Sequence, residues 1–336
     1  MEIDALSRDI LQAMSENCRR SLSSLAKELH TSPKTLKKKL AKLEEEYGIK
    51  YTLELDESAL GLNATYFVKI NFSNPPSEKK LRRVLKKYPE IQFAALTKGD
   101  FDLLIYAVAR TPLDFARWSN SFRQSMWQNL ESWEAGVTTG FWFGFFILGE
   151  EVTEHMKLKH VERVILRELI RNARIPLSEL ARKADVPLST AQYHLKKILS
   201  SKAVKRATLV MTRPPLMVHY IGLYEYKMTE DFLRRDTGVR EVLTSEVGYE
   251  PMNQLMLAFN VAGAAFDDVL FYSLNSLDEA YEYQKELRNR FGDELKSNPS
   301  AFVLNVLKGN LPCRKLAVKD NYNSKLVNIY DKLSKD

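Results

Sequence analysis

The sequence predicts an α+β protein in which two small helical heads alternate with two βαββαβ sheet segments. Three observations predict it. First, the chain repeats itself: at an offset of 155 residues its N-terminal fifty residues align without a gap to 161–205. Arg8 falls on Arg163, Ile10-Leu11 on Ile165-Leu166, Asn17 on Asn172, Leu25-Ala26 on Leu180-Ala181 and Leu40 on Leu195. A chance match rarely preserves apolar positions at helical spacing together. Second, each copy passes from a helical period to strand-like alternation in the same order. Third, Asp102–Ala107 resembles Asp268–Ser273, and each is followed by a Leu-Asp pair that opens a long helical pattern (Leu113-Asp114, Leu277-Asp278).

Leu6, Ile10, Ala13 and Met14 share a face of a first helix over 4–16. Ser21 is a candidate N-cap for a second helix carrying Leu22, Leu25, Ala26 and Leu29. His30-Thr31-Ser32-Pro33 stops it, and Leu36, Leu40 and Leu43 set the buried face of a third helix that Gly48 ends. Tyr51–Leu55 then alternates like a strand, completing a winged helix-turn-helix pattern. Asn63–Phe72 reads as a strand. Pro75-Pro76-Ser77 caps a helix with Leu81, Val84, Leu85 and Tyr88 inside and Lys79, Lys80, Arg82, Arg83, Lys86 and Lys87 outside. Strands over Ile91–Thr97 and Phe101–Ala109 flank the turn Lys98-Gly99-Asp100. A helix over 112–131 and a strand over 137–148 close the segment in ferredoxin-like order. Its Phe141–Leu148 stretch is apolar enough for a sheet-to-sheet contact.

The second copy repeats the head, with Ala191, Leu195 and Ile198 inside its third helix. Strands follow near 218–227, 252–261, 266–274 and 301–308, with helices near 230–244 and 276–296. The predicted domains are a winged helix-turn-helix over 1–57 and a ferredoxin-like domain over 60–149. A linker over 150–160 leads to a second winged helix-turn-helix over 161–213 and a second ferredoxin-like domain over 216–311. The tail, 312–336, is expected to be helical.

Composition narrows the function. The 336 residues hold 50 Lys+Arg against 43 Asp+Glu, a net +7 that favours an anionic partner. Two cysteines, Cys18 and Cys313, exclude a disulfide framework and a multi-Cys zinc site. There is no Gly-rich phosphate loop and no Ser/His/Asp or Cys/His constellation, so no catalytic residue, cofactor or metal is assigned. His155 and His160 read as solvated linker residues. The Phe141–Leu148 run is eight residues long, whereas a membrane span needs about 20. The start Met1-Glu2-Ile3-Asp4 lacks a signal-peptide core. The expectation is a cytoplasmic protein without a membrane partner.

The basic charge is also localised. Residues 156–213 hold 14 Lys+Arg and 4 Asp+Glu, whereas 1–55 hold 10 and 9. In the first head, however, no acid lies between 33 and 43. The third helix of such a head enters the major groove of DNA. The candidate DNA-binding residues of the first head are Ser32, Lys34, Thr35, Lys37, Lys38, Lys39 and Lys42. Those of the second are Ser189, Thr190, Gln192, Tyr193, His194, Lys196 and Lys197, with Lys205 and Arg206 on the strand that follows. Lys neutralises phosphate; Gln reads adenine bidentately, and Ser or Thr reads either kind of base pair.

Leu22-Ser23-Ser24-Leu25-Ala26, Thr31-Ser32-Pro33-Lys34-Thr35, Leu43–Lys50 and Gly99-Asp100-Phe101-Asp102-Leu103-Leu104 occur in the order and spacing of a known family. The chain resembles the Lrp/AsnC (feast/famine) transcription regulators, in a tandem, archaeal-type form. The resemblance covers about 4–149 and again 160–309. It implies double-stranded DNA as partner, a helix-turn-helix head, and a ferredoxin-like RAM domain that pairs through its sheet, here within one chain or in a homodimer. It places a candidate amino-acid effector near the turn Gly99, Asp100 and Asp102; the second copy departs there, reading Ala262-Gly263-Ala264-Ala265-Phe266-Asp267. Siroheme decarboxylases share this two-domain fold and are the enzyme alternative. Their His-Asn-Tyr segment is missing, since none of His30, His155, His160, His194 and His219 is followed by Asn-Tyr. A third alternative is an activator or scaffold that recruits basal transcription machinery through protein contacts.

Overall fold

A computed structural model describes residues 4–156, 158–212, 218–227 and 255–312. The first head is α1 (Ala5–Glu16), α2 (Leu22–Glu28), α3 (Pro33–Tyr47) and β1 (Ile49–Leu55). Asp4, Ser21 and Ser32 cap the three helices by accepting from the backbone N–H groups of Ser7, Ser24 and Thr35. Gly48, at φ 58°, ends α3 in the left-handed region that glycine enters without steric cost. The next segment is β2 (Ala64–Phe72), α4 (Glu78–Leu85), β3 (Ile91–Gly99), β4 (Leu103–Ala109), α5 (Pro112–Met126) and β5 (Leu130–Phe143).

A 3-10 turn, Glu150–His155, leads to α6 (His160–Arg171), α7 (Leu177–Lys183), α8 (Leu188–Leu199) and β6 (Val204–Met211). Then come β7 (Val218–Tyr226), β8 (Leu255–Ala262), β9 (Asp268–Leu274), α9 (Leu277–Phe291), β10 (Leu295–Ser297) and β11 (Ser300–Lys308). The helix expected over 230–244 and the tail after 312 lie outside the described residues.

The strands of the two halves close on each other. The first half runs β3-β4-β2-β5 and the second β8-β9-β7-β11, the same order in each. β5 pairs antiparallel with β8, and β11 with β3, so eight strands form a closed barrel inside one chain. Each of the eight strands thus pairs on both sides, and the short β10 adds to β7 beyond the ring. Phe67, Phe93, Tyr106, Phe146 and Phe271 fill its interior, with ring centroids 4.4 to 6.4 Å apart. On the outer face Leu81, Val84 and Leu85 of α4 and Trp118, Phe122 and Met126 of α5 cover the first half. β4 is therefore covered on both faces and all seven of its residues are buried.

The heads are joined in the same way. β1 pairs with β6 from Ile49↔Met211 to Glu54↔Arg206. The strand expected after each head is present, and the two together build a single two-stranded sheet between the heads. Thr52 donates to the Ile170 carbonyl at 2.7 Å and Thr208 to the Ser15 carbonyl at 2.7 Å, so each strand locks into the opposite head.

Three boundaries shift. α5 stops at Met126 and β5 begins at Leu130, because Asn129 builds a turn there. Its N–H donates to the Met126 carbonyl, its amide to the Asn74 carbonyl, and its Oδ1 accepts from Lys80 Nζ at 2.8 Å. The strand expected to reach 148 ends at Phe143. Gly144, at φ 78°, turns the chain inward; Phe146 drops into the barrel, while Phe145 and Ile147 pack on Val210. The 150–160 segment is not a solvated linker: Val152 and Thr153 are buried. Arg171 pairs with Glu150 at 2.6 Å, and Arg167 pairs with Glu154 and donates to Thr153 Oγ1 at 3.1 Å.

Candidate nucleic-acid interface

Each head presents one helix on a tight turn. His30 and Asp185, 155 residues apart, both sit in the left-handed region, at φ 49° and 51°. Thr31 N–H then donates to the Ala26 carbonyl and Val186 N–H to the Ala181 carbonyl. The turns are thus built alike although their side chains differ. Leu36, Leu40 and Leu43 bury the inner face of α3, and Ala191, Leu195 and Ile198 that of α8.

On α3, Lys34, Thr35, Lys37, Lys38 and Lys42 are exposed. Ser32 is exposed too, but its hydroxyl caps the helix and meets Thr35 Oγ1 at 2.8 Å. On α8, Ser189, Gln192, Tyr193 and Lys196 are exposed and Thr190 is half-buried. Leu188, at the first turn of α8, is 54 % exposed, and the sequence reading passed it over. Its signal was a Leu one position before the polar run, where an apolar side chain can meet a thymine methyl.

Five candidates turn elsewhere. Lys39 reaches back to Asp4 at 2.7 Å, and Lys197 reaches Glu162 at 2.6 Å. His194 Nδ1 lies 3.6 Å from the same Glu162 oxygen, with only 14 % of its side chain exposed. Lys205 lies 3.5 Å from Asp56, and Arg206 pairs with the buried Glu54 under the Phe145 ring. In each case the helical or strand register put the residue near the expected face, and a carboxylate outside the motif drew it inward.

These contacts shift the carboxylates. The Lys39 ammonium hydrogen-bonded to Asp4 holds that carboxyl at about 2. The Lys197 ammonium bonded to Glu162 likewise holds Glu162 below the usual range. A depressed carboxyl contributes stability at neutral pH that is lost as pH falls through its lowered value. Lys197→Met should therefore raise the Glu162 carboxyl pKa, as read by carbon-detected NMR titration, and make the second head unfold at higher pH. An unmoved Glu162 titration would mean the ion pair does not form in solution.

The candidate effector turn is occupied by the chain itself. Asp100 N–H donates to the Ser300 carbonyl and Asp100 Oδ2 accepts from Ser300 N–H, both at 2.8 Å. A Cβ on Gly99 would lie 2.7 Å from Ala301 Cα, so β11 needs glycine there. Asp102 Oδ2 accepts from Phe72 N–H at 2.8 Å, and Asp267 repeats this with Tyr226 N–H at 2.9 Å. The turn that departs in the second copy thus keeps its structural aspartate. Among the described residues no cluster of His, Cys, Asp and Glu could hold a metal ion, and no helix is long and apolar enough to cross a membrane. Burial pushes the Cys18 thiol up to about 12.

Residues 3–44 match the AsnC-type helix-turn-helix domain, and residues 158–200 match a winged helix-turn-helix DNA-binding domain. An HTH-type transcriptional regulator of Pyrococcus furiosus is 32 % identical over 111 residues, which span 32 % of this chain and 72 % of that protein. The chain belongs to the Lrp/AsnC family. The regulatory protein AsnC of Haemophilus influenzae is 26 % identical over 110 residues, 32 % of this chain and 73 % of its own. These two regulators each match about a third of the present chain. The siroheme decarboxylase NirDL superposes with a TM-score of 0.61 at 12 % identity, covering 98 % of this chain and 99 % of its own. That likeness is one of fold.

Proposed function

We propose that this Lrp/AsnC member is a sequence-specific double-stranded DNA-binding transcription regulator whose two unlike winged heads ride on a paired RAM-type barrel. The observation that carries the reading is the sorting of side chains on α3 and α8. The cations nearest α1 and α6 are held by Asp4 and Glu162, while Lys34, Lys37, Lys38 and Lys42 on one helix and Ser189, Gln192, Tyr193 and Lys196 on the other face outward. The first set suits phosphate; the second suits base edges.

Two unlike heads held by one shared sheet fit an asymmetric site, since half-site symmetry follows protein symmetry. Selection of bound duplexes from a random library tests binding, asymmetry and head usage together. Gln192→Ala should relax the selected sequence at one position, a loss of about 1–3 kcal/mol of discrimination. Lys38→Ala should weaken binding to all sequences alike and lower the salt slope by about one unit. An unchanged selected site for Gln192→Ala would reject this division of roles, and an affinity flat in salt would reject DNA as the partner.

A further inference from the structure

The six cations of the α4 segment do not share one fate. Lys80 Nζ is held by Asn129 Oδ1 at 2.8 Å. Arg82 is held by Glu78 at 2.7 Å and donates to the Leu307 and Val306 carbonyls at 2.9 and 3.1 Å, which ties α4 to β11. Glu78, the acid at the head of the helix, is fully engaged, since Asn305 also donates to it at 3.0 Å. Lys79, Arg83, Lys86 and Lys87 have no such structural duty: all four are exposed, and none is in an ion pair among the described residues. Lys79 and Arg83 sit at i and i+4 on α4, Lys86 is its C-cap, and Lys87 lies in the turn that follows.

The cluster also has a defined position. Past the C-terminal end of α4, Lys308 Nζ donates to the Tyr88 carbonyl at 2.7 Å. Lys308 lines a cleft together with Lys50 of β1 and Arg171 of α6. The C-terminal end of α4 thus approaches the cleft lined by both heads. Duplex DNA carries about one charge per 1.7 Å of its axis, so a cluster of this size meets several phosphates. The cluster also belongs to the half whose head is nearly neutral, with 10 cations against 9 acids over 1–55.

We infer that the basic cluster on α4 and the turn after it is a second phosphate-contact surface, which grips duplex DNA flanking the segment read by the heads. The inference rests on the DNA-binding reading above but assigns a different surface and a different stretch of duplex. It predicts that affinity depends on flank length, which head contacts alone do not require.

The test uses the full chain and two duplexes. One is the selected core site; the other is the same core extended by about two helical turns, roughly 20 base pairs, on each side. The unmodified chain should bind the longer duplex at least tenfold more tightly at low salt. The variant Lys79→Gln/Arg83→Gln/Lys86→Gln/Lys87→Gln should bind the core unchanged and lose that gain. On the longer duplex its slope of log K against log salt should be shallower by about 3–4 units, one counterion per lost phosphate contact. An unchanged melting temperature confirms that the variant is folded. If the unmodified chain gains nothing from flanks, or the variant keeps the gain, the inference is wrong and the cluster is left to an acidic protein partner. If the unmodified chain binds neither duplex, the regulator reading fails first and this one with it.

Discussion

Arg206→Met is expected to lower the unfolding free energy by about 3–5 kcal/mol, because it strands a buried carboxylate. Glu54 and Arg206 face each other across the β1–β6 ladder, and Glu54 is only 3 % exposed. Phe145 covers the guanidinium with its ring 5.4 Å away, so water does not easily replace it. The double variant Glu54→Leu/Arg206→Met removes both charges and should recover most of the loss. Urea unfolding of the three proteins reads the coupling directly. A single variant as stable as the parent would show that solvent reaches Glu54. If Arg206 instead contacted DNA, its loss would flatten the salt dependence of binding and leave stability alone.

Phe146→Ala should cost a similar amount, about 3–5 kcal/mol. The side chain stacks on Tyr106 at 4.4 Å and meets Phe93 at 4.9 Å, Phe271 at 5.7 Å and Phe67 at 6.1 Å. Phe67, Phe93 and Tyr106 belong to the first half and Phe271 to the second, so the residue fills the point where the halves meet. Thermal unfolding should show both halves falling together. If the variant instead gave two separated transitions, the barrel interior would not be one cooperative core. Phe146→Leu, which keeps much of the volume, should recover part of the loss.

The heads were readable because local rules and tertiary packing agree there. Ser21 caps where a capping residue should, and Leu36, Leu40 and Leu43 are buried as their spacing requires. The order of the sheet segments was readable for the same reason. What escaped was set by contacts distant in sequence. Nothing in residues 49–55 says that their ladder partner is 204–211. Lys39, His194, Lys197 and Arg206 look outward by register, and only Asp4, Glu162 and Glu54 turn them. The run from Phe141 to Leu148 carries enough apolar residues for a long strand, but Gly144 breaks it where the chain must cross from barrel to head. α5 was read too long because Asn129, a turn residue through its side-chain bonds, is silent in a hydrophobic pattern.

The closed ring of eight strands has a consequence for stoichiometry. A regulator assembled from two chains loses its paired heads on dilution, and its occupancy of a two-part site then follows the square of its concentration. Here the second head arrives with the first, at an effective concentration fixed by the fold. On the proposed function, a single chain acting alone would give occupancy first-order in chain number. Obligate partnership also frees the two halves to drift apart. Lys39 has His194 as its counterpart in the second copy and Ser7 has Glu162, and each copy closes its own pair.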